Sequence, residues 1–141
     1  MRQAIISLTI VCVILFSCNK DTTPTSIEGT WKMISVVDNT TNQTATKSPS
    51  IQGEVIITFS LTNSSSGTFF GNTPTNDIEK NNFSIGTNQT ITINSLSMSK
   101  VDETTWGDLF VKNIRDSKNY AFGSGNLLTI KTINKTLTFH K

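Results

Sequence analysis

From residue 54 to residue 61 apolar and polar positions alternate, apart from the apolar Ile56. Val55, Ile57, Phe59 and Leu61 face one way, and Thr58 and Ser60 face the other. That period of two predicts an antiparallel strand with one buried face. Residues 27–37 predict an earlier strand that opens at Gly29-Thr30-Trp31. Trp31, Met33 and Val37 fall on one of its faces, and Ile34 and Val36 on the other. Residues 38–50, DNTTNQTATKSPS, show no periodicity and read as a long mobile loop. NSSSG at 63–67 turns the chain into a short strand at 68–71, and further strands are expected at 82–85 and 90–94. Ile91 and Ile93 share a face, but Leu96 and Met98 are out of phase with them. A strand cannot lose phase by one residue without a bulge or a break, so one is expected near Ser95.

The pattern changes period over residues 105–117. Trp106, Leu109, Phe110 and Ile114 recur at helical spacing. Thr105 is suited to cap this helix with Asp108 three residues on, and Asp102 and Glu103 lie at the positive end of its dipole. Gly107 counts against the helix by about 1 kcal/mol relative to Ala. The C-terminus reads as a hairpin. With Asn134-Lys135 as a two-residue turn, Ile130 faces Phe139, Thr132 faces Leu137, Thr129 faces His140 and Lys131 faces Thr138.

The N-terminus follows a different logic. Met1-Arg2-Gln3 is basic, and residues 4–16 are apolar apart from Ser7 and Thr9. A bilayer-spanning helix needs about 20 residues, and this run is shorter. A basic start followed by a short apolar run is the pattern of a secretory signal peptide. Leu15-Phe16-Ser17-Cys18 then resembles the lipobox of bacterial lipoproteins. The resemblance implies cleavage before Cys18, a diacylglyceryl group on its thiol and an acyl chain on its amine. Such an anchor is effectively permanent. By the same resemblance, Asn19 in place of an aspartate favours the outer membrane. Residues 1–17 are thus expected to be the signal peptide, and 18–26 a lipidated polar tether.

Composition adds three constraints. Two cysteines are present; Cys12 would leave with the signal and Cys18 would carry lipid, so no disulfide or thiolate ligand is expected. Twelve basic and ten acidic residues give a net charge of +2 with both signs mixed, which offers no basic stripe for nucleic acid. Residues 27–141, rich in Thr, Ser, Asn and β-branched residues, suit one strand-rich domain.

Within that domain, GTWKMISV, FFGNTPTND, NNFSI, SLSMSKVDETTWGDLFVKNI, NYAFGSGNLLTIK and TLTFHK follow one another. This order resembles the META-domain family of the heat-shock protein HslJ. Gly71 and Asn76 match its glycine and "CN" motif, although Thr75 stands where that motif has cysteine. Ser97 to Val101 match its "STKMA"-like stretch. The likeness implies a mainly β (α+β) fold: a small curved antiparallel sheet or partial barrel of about seven to eight strands, with one α-helix before the last strands. It implies no catalytic residues and no cofactor.

Candidate chemistry in the chain is thin. His140 is the single histidine, and the hairpin places it outside. Asp77 and Glu79 share a strand face but sit beside Asn76 and Lys80, as in a solvated turn. Asp102-Glu103 reads as a helix-start signal. Gly29-Thr30-Trp31 also matches the Gly-x-Trp that opens lipocalins, although a core tryptophan accounts for it. Two functions are expected to compete. One is a monomeric, non-enzymatic lipoprotein held at the envelope by Cys18 and acting on an envelope partner. The other is a lipocalin-like carrier of a small apolar ligand. A helix followed by about two strands favours the first.

Overall fold

The computed structural model describes residues 23–141; residues 1–17, expected to be a signal peptide, and Cys18 lie outside the described residues. The chain forms β1 (Gly29–Asp38), β2 (Thr44–Ala45), β3 (Ile56–Asn63), β4 (Ser66–Asn72), β5 (Asp77–Ile85), β6 (Ile91–Thr92), α1 (Thr105–Val111), β7 (Ser117–Gly123), β8 (Leu127–Thr132) and β9 (Lys135–His140). All nine strands belong to one antiparallel sheet in the order β6-β5-β4-β3-β1-β9-β8-β7, with β2 added to β1. A single bridge between Thr90 and Asn119 brings the two ends of that order together, so the sheet is a nearly closed barrel. The mainly antiparallel architecture with one helix is the one expected. The count reaches nine because β2 is too short to leave a pattern and because three strands, not two, follow the helix.

The alternating residues of 54–61 behave as their period predicts. Val55, Ile57 and Phe59 are buried, and Leu61 is half-buried. Trp31, Met33, Phe69, Phe83, Leu137 and Phe139 meet them inside the barrel. Each fully buried apolar side chain of this size contributes about 1.5–3 kcal/mol. Aromatic contacts knit the interior: Phe59 lies edge-on to Phe83 at 5.1 Å, and Phe110 edge-on to Phe139 at 6.5 Å.

Several local expectations need correction. In β1 the inward residue is Val36, not Val37. Pairing with β9 shifts between Met33 and Ser35, and this bulge leaves Ile34 outside and reverses the phase beyond it. The stretch 38–50 is not a structureless loop. Asp38 Oδ1 accepts the backbone N–H groups of Thr40 and Thr41, Asn42 takes a left-handed turn at φ 57°, and the chain returns as β2. The C-terminal hairpin turns at Ile133-Asn134, so Ile130 pairs with Leu137 and Leu128 with Phe139. The Thr132 hydroxyl stabilises that turn by accepting from Lys135 N–H and donating to the Lys135 carbonyl. The helix is capped by Thr104, not Thr105; its hydroxyl accepts from Gly107 N–H at 3.1 Å. It ends at Val111 because the Asn113 side chain takes the Leu109 carbonyl. A 3₁₀ turn, Ile114–Asp116, then carries Ile114 into the core.

The expected break near Ser95 is present. β6 ends at Thr92, and Ser97 is then held to β5 by the Asn81 side chain, which accepts from its N–H and donates to its carbonyl, an oxygen that also takes the Glu79 backbone N–H.

Candidate functional site

Antiparallel order gives the barrel two distinct ends. At one end β1 begins; Ile27 is buried there and its carbonyl accepts the Trp31 indole N–H at 2.7 Å. Trp31 also stacks on Phe122 at 6.4 Å and lies under the Lys141 ammonium. It is a core residue closing this end. The other end, about 30 Å along β1 at 3.3 Å per residue, gathers the β1–β2 hairpin, the β4–β5 and β8–β9 turns and α1.

Two adjoining grooves open at this helix end. One, of about 250 Å³, is lined by Ala45, Thr46, Ser48, Ile51, Thr105, Trp106 and Leu109. The other, of about 180 Å³, is lined by Val36, Asp38, Gln43, Thr44, Ala45, Leu109 and Lys135. Ala45 and Leu109 belong to both, so β2 and α1 form the opposing walls of one trough. The wall at Ile51 is fixed by Lys47, whose ammonium donates to the carbonyls of Ile51 and Gly53 and pairs with Glu54 at 3.0 Å. Trp106 lines the trough, and its indole N–H is buried without a protein partner. Asp38 and Lys135 close the far side as an ion pair at 2.5 Å. The Lys135 ammonium, then the N–H groups of Thr41 and Thr40, hold the Asp38 carboxyl well below the usual carboxylate range.

Next to the trough lies a polar cluster built on Glu103 and Asn76. Glu103 Oε2 accepts from the Thr73 hydroxyl and from Asn76 Nδ2, the latter at 3.0 Å. Its Oε1 accepts from the Thr75 hydroxyl and the Thr104 N–H, both at 2.9 Å. Burial pushes the Glu103 carboxyl up, but the hydrogen bonds from Thr73, Asn76, Thr75 and Thr104 outweigh it and hold the group below its ordinary value. Asn76 is 3% exposed, and its orientation is fixed by the backbone. Nδ2 donates to the Val101 carbonyl at 2.8 Å and Oδ1 accepts the Val101 N–H at 2.8 Å. The sequence marked Glu103 as a helix-start residue and missed this role. The available signal was Gly107: a Cβ there would lie 2.1 Å from Glu103 Oε1, so the glycine makes room for the carboxylate over the helix's first turn.

The other candidates stay apart. His140 is exposed on β9, at the opposite end of that strand from Lys135. Asp77 and Glu79 are exposed on β5, where Glu79 accepts from the Ser97 hydroxyl at 2.5 Å. Among the described residues no group of three or more His, Cys, Asp or Glu side chains is placed to hold a metal ion. Also among the described residues, no helix is long and apolar enough to cross a membrane. Comparison with family models, with curated proteins and with solved structures finds no match to this chain.

Proposed function

We propose that this chain is a lipid-anchored protein of the bacterial cell envelope, held at the outer membrane through Cys18, that works by binding an envelope partner and not by catalysis. The observation that carries the anchor is the sequence ILFSCNKDTT, where a short apolar run stops at a cysteine and gives way at once to a polar tether. What supports binding at the far end is the geometry of attachment. The tether enters where β1 begins, and the trough between β2 and α1 lies at the other end of the barrel, turned away from an anchored surface. An anchored domain sees its neighbours at a raised effective concentration, so a modest contact area suffices. The filled interior, with Trp31, Phe59, Phe69, Phe110 and Phe139 all fully buried, supports surface binding over carriage of a ligand inside the barrel. A META-like domain accords with this reading through Gly71 and Asn76. Gly71 lets β4 lie against the Ile56 backbone, and Asn76 joins the β4–β5 turn to residues 99–103.

Metabolic labelling with a fatty acid tests the anchor. The wild-type chain takes up label and fractionates with membranes, whereas Cys18→Ala does neither. Equal labelling of the two overturns the proposal. Recovery of the domain with a stoichiometric apolar ligand, read by native mass spectrometry, turns it towards the carrier.

A further inference from the structure

β2 is paired on one side only. It adds to β1 with Val36 opposite Ala45 and Val37 opposite Thr44, and among the described residues no strand pairs with its other edge. The Asp38 N–H donates to the Gln43 carbonyl at 2.9 Å, which sets the phase of this short ladder. Hydrogen-bonded and open pairs alternate along antiparallel strands. Asp38 with Gln43 and Val36 with Ala45 are therefore the bonded pairs, and the backbone groups of Thr44 and Thr46 point away from β1. Among the described residues nothing donates to or accepts from those groups. Both threonines are exposed, and both line the trough, one in each groove.

The chemistry of this edge selects its partner. An N–H and a carbonyl at Thr44 recur at Thr46, about 6.6 Å on, the spacing of alternate residues in a strand. Another extended backbone matches that alternation of donors and acceptors. The charges that border the trough are spent on each other, Asp38 on Lys135 and Lys47 on Glu54, so a neutral occupant fits. A second copy presenting its own β2 would bring its α1 against this one, so the edge admits a single strand. Side chains set which strand. Val36 is buried, and Ala45 opposite it shares its inward face. A residue opposite Ala45 points the same way, towards Leu109, which lines both grooves with Ala45. Its two neighbours point to solvent, as Thr44 and Thr46 do.

We propose that β2 is a docking edge for an extended segment of the partner protein. Three residues in the order polar, apolar, polar add to the sheet as a further strand, and the apolar side chain sits between Ala45 and Leu109. The inference rests on the trough as the partner surface proposed above and names what enters it.

Titration of the isotope-labelled full chain in detergent micelles with the acetylated, amidated peptide Ser-Thr-Leu-Thr-Ser, followed by amide NMR, tests this. Saturable shifts should appear at Thr44, Thr46 and Leu109 and not along β8. Only alternate amides of a strand face a given neighbour, so two N-methylated peptides should differ: one methylated at the leucine, the other at both threonines. One should bind at least about tenfold more weakly and the other within about twofold of the parent. Thr46→Pro, which removes one outward N–H and spares the pair of Ala45 with Val36, should weaken the parent peptide by a similar factor. Trough shifts that persist with both methylated peptides overturn strand addition but leave the partner surface standing. Loss of binding with both, or no saturable shift at Thr44 and Thr46, overturns the inference outright, while labelling at Cys18 decides the anchor separately. If Thr46→Pro does not fold, the two methylated peptides decide on the wild-type chain.

Discussion

Gly71 and Gly125 differ in what surrounds them, and that difference sets what each tolerates. A Cβ at Gly71 would lie 1.9 Å from the Ile56 carbonyl oxygen, an atom of the neighbouring strand's backbone that cannot step aside. Pairing of β4 with β5 also shifts between Phe69 and Gly71, so the residue sits where two ladders are adjusted at once. Gly125, at φ +72°, has nothing within 4 Å of the same position. Gly71→Ala should therefore cost about 3 kcal/mol or more through forced strand separation. Gly125→Ala should cost only the roughly 1 kcal/mol of a left-handed alanine. Chemical denaturation of both variants checks this, and equal losses would show that the approach of β4 to β3 is not close. The sequence offered Gly71 only as a motif position; its reason is a backbone contact with a residue 15 positions earlier, which no local pattern encodes.

Among the elements, the β1–β2 hairpin shows how a short segment is held without a core of its own. β2 has two residues, and its pairing is backed by Asp38, which accepts Thr40 and Thr41 N–H groups while its other oxygen takes Lys135 of β9. The folded-state carboxyl is depressed, so its stabilisation is present above the unfolded value of about 4 and is lost as pH falls through the folded value. Asp38→Asn should accordingly lower stability at pH 7 and flatten its decline below pH 4. Urea titrations at pH 7 and pH 3 check this, and a variant as acid-sensitive as wild type would remove Asp38 from the account. Such elements were only partly legible. The alternation of Val55, Ile57, Phe59 and Leu61 marked β3, and the phase slip at Leu96 marked the end of β6, because both are carried by apolar residues. β2 has no apolar pattern. The register of β8 with β9 was read two residues off, because a slip of two keeps every side chain on its face and the pattern cannot distinguish the alternatives. The bulge at Ile34 was hidden because Val36 and Val37 are both apolar and either could be the inward one. The helix stripe was legible in Trp106, Phe110 and Ile114, whereas Glu103 was not, since its partners at 73–76 meet it only in three dimensions.

For the whole molecule, the open question is how firmly the barrel closes. The sheet's two terminal strands meet through one bridge, Thr90 with Asn119, supported by Asn119 Nδ2 donating to the Asn88 carbonyl at 3.4 Å. Closure matters because it removes the unpaired edges through which sheets associate, and because Ile91, Ile93 and Ile114, all buried, lie beside that junction in the chain. Residues opposed across an antiparallel bridge have Cα atoms about 4.5–5.5 Å apart, inside the window that a disulfide spans. Thr90→Cys with Asn119→Cys, made in a chain where Cys12 and Cys18 are alanine, should therefore oxidise readily under mild conditions. A loop of about 29 residues closed in this way stabilises by roughly 3.5 kcal/mol in the chain-entropy account. For a domain of this size that amounts to a rise in Tm of about 10 °C. Comparison of oxidised and reduced forms of the same variant isolates the effect from that of the substitutions. A pair that stays reduced, or a bond that forms without raising Tm, would mean that β6 and β7 stand apart in solution and that the sheet is an open, curved one with two exposed edges.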